Sequence, residues 1–315
     1  MNKTIEIIKN RSDIGAGTRG SDMGIDAIEI AAINKGSDFF NRHSHKDVKT
    51  RNNSIYNPLI HPFAKHIVQI DKQCKEVSTV VEATLRKNHF PLVFSGDHSS
   101  AIGTITGVKQ ANPNKTLGVI WIDAHADIHS PYTTPSGNMH GMPLAALMHL
   151  DNLTFEKNEL KEDTKLYWEK LKNLGGPYKK VLPEHLIYFG VRDTEQEEVS
   201  IMQELNIKNF TVDETRAEGF ATAVHKALKL LEACDMIYLS FDVDSMDSEL
   251  ISNGTGTPVV KGFDAIEIKQ LLSAFMESPK VVCLEVVEVN PLLDHKGNKM
   301  AEVTFDILED TFNNL

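Results

Sequence analysis

At 315 residues the chain can bury one large core, and with no repeat, linker or low-complexity tract a single domain over residues 1–315 is expected. Its 33 basic against 44 acidic residues, a formal charge of −11, leave no electrostatic basis for nucleic-acid binding. No apolar run reaches membrane-spanning length, the opening MNKTIEIIKN lacks a signal peptide's apolar core, and Cys74, Cys234 and Cys283 lack CxxC spacing, so a cytoplasmic protein without membrane partners is expected.

Ile5-Glu6-Ile7-Ile8 reads as a first strand. Gly15, Gly17, Gly20 and Gly24 follow in a loop that fits neither GxGxxG nor a P-loop; it reads as a flexible rim loop ahead of a helix near 25–33. Residues 36–65 are polar and irregular, and His43, His45, His61 and His66 fall in no ligand spacing. An apolar helical face covers 72–87. Pro91-Leu92-Val93-Phe94 is then a short buried strand, with Ser95-Gly96-Asp97-His98-Ser99 directly after it. Gly96 permits a tight turn, Ser99 or Ser100 would cap the next helix, and His98 at a strand end is a candidate ligand.

The apolar run Leu117–Ile122 is a buried strand that ends where Asp123, His125 and Asp127 appear at alternate positions. If the chain is still extended there, all three side chains fall on one side, away from Ala124 and Ala126. Carboxylates with an imidazole suit a borderline-hard divalent ion. A polar turn whose acids cap the next element is the competing reading, and the small, regular alanine spacers count against it.

A helix near 144–150 leads to a charged segment, 151–180, read as a peripheral helix closed by Gly175-Gly176-Pro177, a solvated rim or an oligomer contact, and assigned no chemistry. A strand over 184–191, a helix from about Glu195, a strand over 207–212 and a helix over 221–233 continue the alternation. The buried run 235–241 delivers Asp242 and Asp244 at its end, before the loop Asn253-Gly254-Thr255-Gly256-Thr257-Pro258. A helix over 264–276, a strand over 281–287 ending at Glu288, and a helix over 299–312 complete the chain. Strands alternating with helices predict an α/β protein with a parallel sheet covered on both faces.

Four strand ends thus bring His98, the Asp123/His125/Asp127 set, Asp242/Asp244 and Glu288 to one sheet edge. Four aspartates and two histidines are enough for two metals with shared carboxylates, which would turn a bridging water into a hydroxide nucleophile near neutral pH.

The motifs GDHS (96–99), DAHAD (123–127), SGNMHGMP (136–143), SFDVDSMD (240–247), GTGTP (254–258) and EVNP (288–291) resemble those of the arginase family of ureohydrolases, in order and over most of the chain. The resemblance implies a three-layer α/β domain on a parallel eight-stranded sheet and two Mn²⁺ ions per subunit. It also implies hydrolysis of L-arginine to L-ornithine and urea, or of another guanidino compound such as agmatine or a guanidino acid. By motif position His98, Asp123, Asp127 and Asp242 would hold one manganese, and Asp123, His125, Asp242 and Asp244 the other. His140 would shuttle the proton, from a pKa near neutrality, and Glu288 would bind the guanidinium. Ser136, Asn138, Thr257, His129 and Glu195 would line the substrate, and a homotrimer or homohexamer is implied. His129 stands where arginine-specific members usually have asparagine, and Glu195 where they usually have aspartate. The expectation is that His129 donates to the substrate α-carboxylate while Glu195 reaches its α-ammonium.

Overall fold

Leu117-Gly118-Val119-Ile120-Trp121-Ile122 is apolar throughout because both faces of its strand are covered. The computed structural model describes residues 4–313. Within them eight strands form: β1 (Ile5–Asn10), β2 (Ser44–Asp47), β3 (Phe90–Ser95), β4 (Leu117–Ile122), β5 (Leu186–Phe189), β6 (Lys208–Phe210), β7 (Met236–Asp242) and β8 (Val281–Val287). They lie in the order β2-β1-β3-β8-β7-β4-β5-β6, and each pairing is parallel. Parallel neighbours need crossover connections, so the intervening helices pack onto the faces.

Strand alternation divides the core in two. Ile120, Ile122, Leu239, Phe241 and Leu284 face the helices Gly24–Lys35, Phe220–Leu230, Ala265–Met276 and Lys299–Asn313. Val119, Trp121, Tyr238 and Cys283 point the other way, to Ile67–Arg86, Ala101–Ala111, Pro143–Met148 and Gln196–Glu204. The three-layer α/β architecture with an eight-stranded parallel sheet is therefore the observed one.

The differences from the sequence reading have local causes. Residues 36–65 are not wholly irregular: Ser-His-Lys-Asp of β2 pairs with β1 at the sheet edge, with all four residues exposed, so no apolar alternation announces it. Asp97, rather than Ser99 or Ser100, caps the turn after β3, its side chain accepting the Ser99 N–H at 2.9 Å. The glycine loop is pinned rather than flexible. Gly15 donates its N–H to Asp97 Oδ2 at 3.0 Å, and its carbonyl accepts the His140 N–H at 3.1 Å. A Cβ there would stand 2.5 Å from Asp97 Oδ1, so glycine is what lets the loop close onto the site. The expected peripheral helix, Glu162–Lys172, is anchored by buried Trp168, whose Nε1 donates to Asp151 Oδ1 at 2.8 Å. Among the described residues no helix is long and apolar enough to cross a membrane.

Candidate metal centre and active site

The strands β3, β8, β7 and β4 are consecutive in the sheet, and their carboxyl ends carry the candidate residues. Register sets Ile122 beside Phe241 and Phe241 beside Val286, so Asp123, Asp242 and Glu288 leave the sheet at nearly one level. The open carboxyl edge of a parallel sheet is where α/β proteins build sites. One detail of the sequence reading is corrected. β4 stops at Ile122 and the chain bends, with Asp127 in the left-handed region at φ 50°. Asp123, His125 and Asp127 do converge, through a bend rather than through extended alternation. Glu288 also sits in that region, at φ 69°. Non-glycine residues held there are strained, and such strain collects at functional sites.

The inner cluster is built around His98. Its Nδ1 lies 3.0 Å from Asp123 Oδ2, 3.0 Å from Asp127 Oδ2 and 3.1 Å from Asp242 Oδ2. One ring nitrogen cannot serve three carboxylates, and neither His98 Nδ1 nor Asp123 Oδ2 has a directed hydrogen-bond partner. The ring is held from behind: its Nε2 is 2.7 Å from Ser240 Oγ, and it stacks on Trp121 at 4.0 Å and 7°. Nearby, His125 Nδ1 lies 3.0 Å from Asp244 Oδ2 and 3.6 Å from Asp123 Oδ1. Two ligand groups result, His98/Asp123/Asp127 and Asp123/His125/Asp244, with Asp123 common to both. Oxygen-rich donors with two imidazoles, no thiolate and orphaned atoms aimed at a common point fit a pair of divalent cations.

Electrostatics agree. Burial, with repulsion from Asp244 and Asp123, raises Asp242 well above the usual carboxylate range, and burial beside Asp123 pushes Asp127 up to about 6. Asp123 is held low in spite of its burial by hydrogen bonds to His125 and His98. Both imidazoles are driven well above their ordinary range, against the burial that would lower them, by the aspartates around them. Acids this crowded are stabilised by cations.

Beside the cluster, His140 Nδ1 lies 3.1 Å from Glu288 Oε1, which also accepts the His98 N–H at 3.0 Å. The other oxygen, Oε2, is buried without a partner. Burial would lower the His140 pKa, but the hydrogen bond and charge of Glu288 raise it to about 9, above the near-neutral value expected from sequence.

Ser136, Asn138, His129, Glu195 and Thr257 line one cavity of about 300 Å³ together with His140, Glu288 and most of the ligand set. Their side chains are not equally available. Thr257 Oγ1 donates to Asp244 Oδ2 at 2.9 Å. His129 is buried, with Nδ1 3.0 Å from Thr133 Oγ1 and Nε2 3.1 Å from Glu195 Oε2. Both ring nitrogens are engaged, so the expected donation from His129 to a carboxylate has no free N–H behind it. Glu195 caps the helix Gln196–Glu204 in a reciprocal capping box with Glu198, and the hydrogen bond from His129 pulls its pKa down to about 2. Glu198 was missed in the sequence. It lines the cavity, and burial raises its pKa well above the carboxylate range. Its signal was the E-x-x-E spacing at a helix start, which reads first as capping. His129, Glu195 and Glu198 also lie close enough together to hold an ion. Their atoms are satisfied within the protein, however, Glu198 accepting the Ile128 and Glu195 N–H groups.

A parallel sheet with candidate ligands for two divalent cations at its carboxyl edge is the arrangement of metal-dependent α/β hydrolases. The profile of the arginase family matches residues 3–313. The chain is 33% identical over 311 residues to the arginase of Bacillus subtilis (strain 168), covering 98% of this chain and 97% of that protein. It is 33% identical over 324 residues to the arginase of Brevibacillus brevis, covering 99% and 98%. The crystal structure of arginase from Bacillus caldovelox superposes with a TM-score of 0.83 at 31% identity, over 98% of each chain. The chain belongs to the arginase family of ureohydrolases, and membership implies a binuclear metal site and a small guanidino substrate.

Proposed function

We propose that this chain hydrolyses L-arginine to L-ornithine and urea with two Mn²⁺ ions. The observation that carries the proposal is the crowding of three carboxylates on His98 Nδ1, with that nitrogen and Asp123 Oδ2 left without a partner, beside the orphaned Glu288 Oε2. His98, Asp123, Asp127 and Asp242 would hold one ion, and Asp123, His125, Asp242 and Asp244 the other. Two such cations would supply Lewis acidity and lower the pKa of a bound water.

The chain's own residues do the rest. Glu288, its backbone strained and its Oε1 tied to His98 N–H and His140, offers Oε2 to the planar guanidinium and sets its orientation. His140 is protonated at neutral pH and fixed at its backbone N–H by the Gly15 carbonyl; it donates the proton that the departing amine needs. Ser136, Asn138, Glu195 and Thr257 line the path to the amino acid end of the substrate, and His129 stands behind Glu195.

Of the alternative substrates, agmatine or a guanidino acid, one observation favours agmatine, which has no carboxylate: the His129 donor is spent on Glu195. Urea release from L-arginine, agmatine and 5-guanidinopentanoic acid, with metal content measured on the same sample, decides between them. A preference for L-arginine is expected; faster turnover of agmatine would replace it. A cytoplasmic setting is supported by three buried, unpaired cysteines. A homotrimer or homohexamer is proposed from the family resemblance and is checked by light scattering.

A further inference from the structure

The cavity wall has two flanks of opposite character. On one, Glu195 and Glu198 gather around His129, whose two nitrogens are engaged, and Asp193 lines the cavity 3.6 Å from His125 Nε2. That flank repels an anion and has no imidazole N–H left to offer one. Ser136 and Asn138 form the other flank. There Lys65 Nζ lies 2.9 Å from Asn138 Oδ1. An ammonium can only donate, so the atom facing it is the amide oxygen, and the Asn138 Nδ2 is left as a donor. Ser136 Oγ accepts the Asn138 backbone N–H at 3.1 Å and keeps its own proton to give.

Lys65 is itself held in place. Its backbone N–H donates to the Gly137 carbonyl at 2.9 Å. Gly137 has φ 77°, and a Cβ there would stand 1.9 Å from the Pro62 carbonyl oxygen, so segment 62–65 seats directly on the Ser136–Asn138 turn. The helix Ile67–Arg86 begins two residues after Lys65. Among the described residues no lysine or arginine lines the cavity, and Lys65 brings a positive charge to this flank through Asn138.

We propose that Lys65 is a specificity-determining positioning residue, which fixes the Asn138 amide as the donor for a substrate's carboxylate and polarises the cavity for an amino acid head group. The inference rests on the guanidino reading above. Ser136 and Asn138 are the residues that the family resemblance gives to the amino acid head, and Lys65 orients them for a carboxylate that His129 has no free N–H to meet.

Calorimetry on the manganese-loaded protein tests it with two ligands, L-ornithine and 1,4-diaminobutane, which differ in the carboxylate alone. Lys65→Met should weaken L-ornithine about tenfold, the size of a lost charge-assisted contact, and leave 1,4-diaminobutane unchanged. Lys65→Gln should show the same contrast, and Lys65→Arg should restore most of the affinity. Metal content and Tm should match the wild type, and KM for L-arginine should rise with kcat kept. Equal weakening of both ligands, or no change in either, overturns the proposal. Absence of urea release by the wild type from every guanidino compound would instead remove the functional reading, while the ornithine and diaminobutane contrast still decides the role of Lys65.

Discussion

His98 and His129 sit in one cavity, each beside several carboxylates, and they differ in how their polar atoms are satisfied. Around His98 three aspartate oxygens crowd a single nitrogen at 3.0–3.1 Å and leave His98 Nδ1 and Asp123 Oδ2 without a directed partner. Around His129 each nitrogen has one hydrogen-bond partner, with Glu198 Oε2 further off at 3.8 Å, and Glu195 and Glu198 complete a capping box on the following helix. Proximity alone groups both sets as ligand clusters. Satisfaction separates them: the first needs a cation to offset its buried charge, and the second is closed on itself.

The sharpest way to break that distinction is to remove a charge from the inner cluster. Asp242→Asn should lower metal affinity by more than about 100-fold, beyond what loss of an outer hydrogen bond costs a metal site, and abolish urea release. Metal analysis and an activity assay on the same preparation check this; normal occupancy and turnover would take Asp242 out of the centre.

Next in size is His140→Asn. Both metals should stay bound while turnover falls about 10²–10⁴-fold, the usual contribution of a positioned proton donor. The sign of the pH effect follows from the raised pKa. His140 carries its proton below about 9 and loses it as pH rises through that value, so wild-type turnover should fall on the alkaline side. A pH profile whose alkaline limb is unchanged in the variant would assign the proton to another group.

On the outer flank, Glu195→Gln should raise KM for L-arginine and agmatine alike, by roughly tenfold, because both carry an ammonium that a charged acceptor would bind. 5-Guanidinopentanoic acid, which lacks that ammonium, should be unaffected. A uniform effect on all three would reduce Glu195 to its capping role.

The smallest effect is expected far from the cavity. Asp264 forms the same reciprocal capping box on the helix Ala265–Met276, with Glu267. Asp264→Ala should cost about 1 kcal/mol in stability by denaturant unfolding and leave KM unchanged. It is the control for what a capping box contributes without a site behind it.

These two regions also mark how far the sequence could be read. The inner cluster was legible because it depends on strand ends, and buried parallel strands write themselves as apolar runs such as Leu117–Ile122 and Met236–Phe241. Its convergence was foreseen for an incomplete reason. Spacing by two suggested an extended strand, whereas Asp127 reaches His98 through a left-handed turn that no periodicity reports. β2 escaped because Ser-His-Lys-Asp pairs through its backbone and exposes every side chain. On the outer flank the sequence picks out residues that line the cavity, but not their partners. Whether His129 faces a substrate or Glu195 depends on where the helix Gln196–Glu204 begins relative to the loop after β4, and Lys65 reaches Asn138 from 73 positions away. Contacts of that kind are set by the assembled fold.

The most direct measurement is the manganese stoichiometry of the folded protein after equilibrium dialysis, taken for the wild type, Asp123→Asn and His129→Ala. Two ions per chain are expected in the wild type. Both should weaken together in Asp123→Asn, because that carboxylate belongs to both ligand groups, and the count in His129→Ala should be unchanged. A wild-type count of one or none, independent loss of a single ion in Asp123→Asn, or a lower count in His129→Ala would contradict the division between the two clusters.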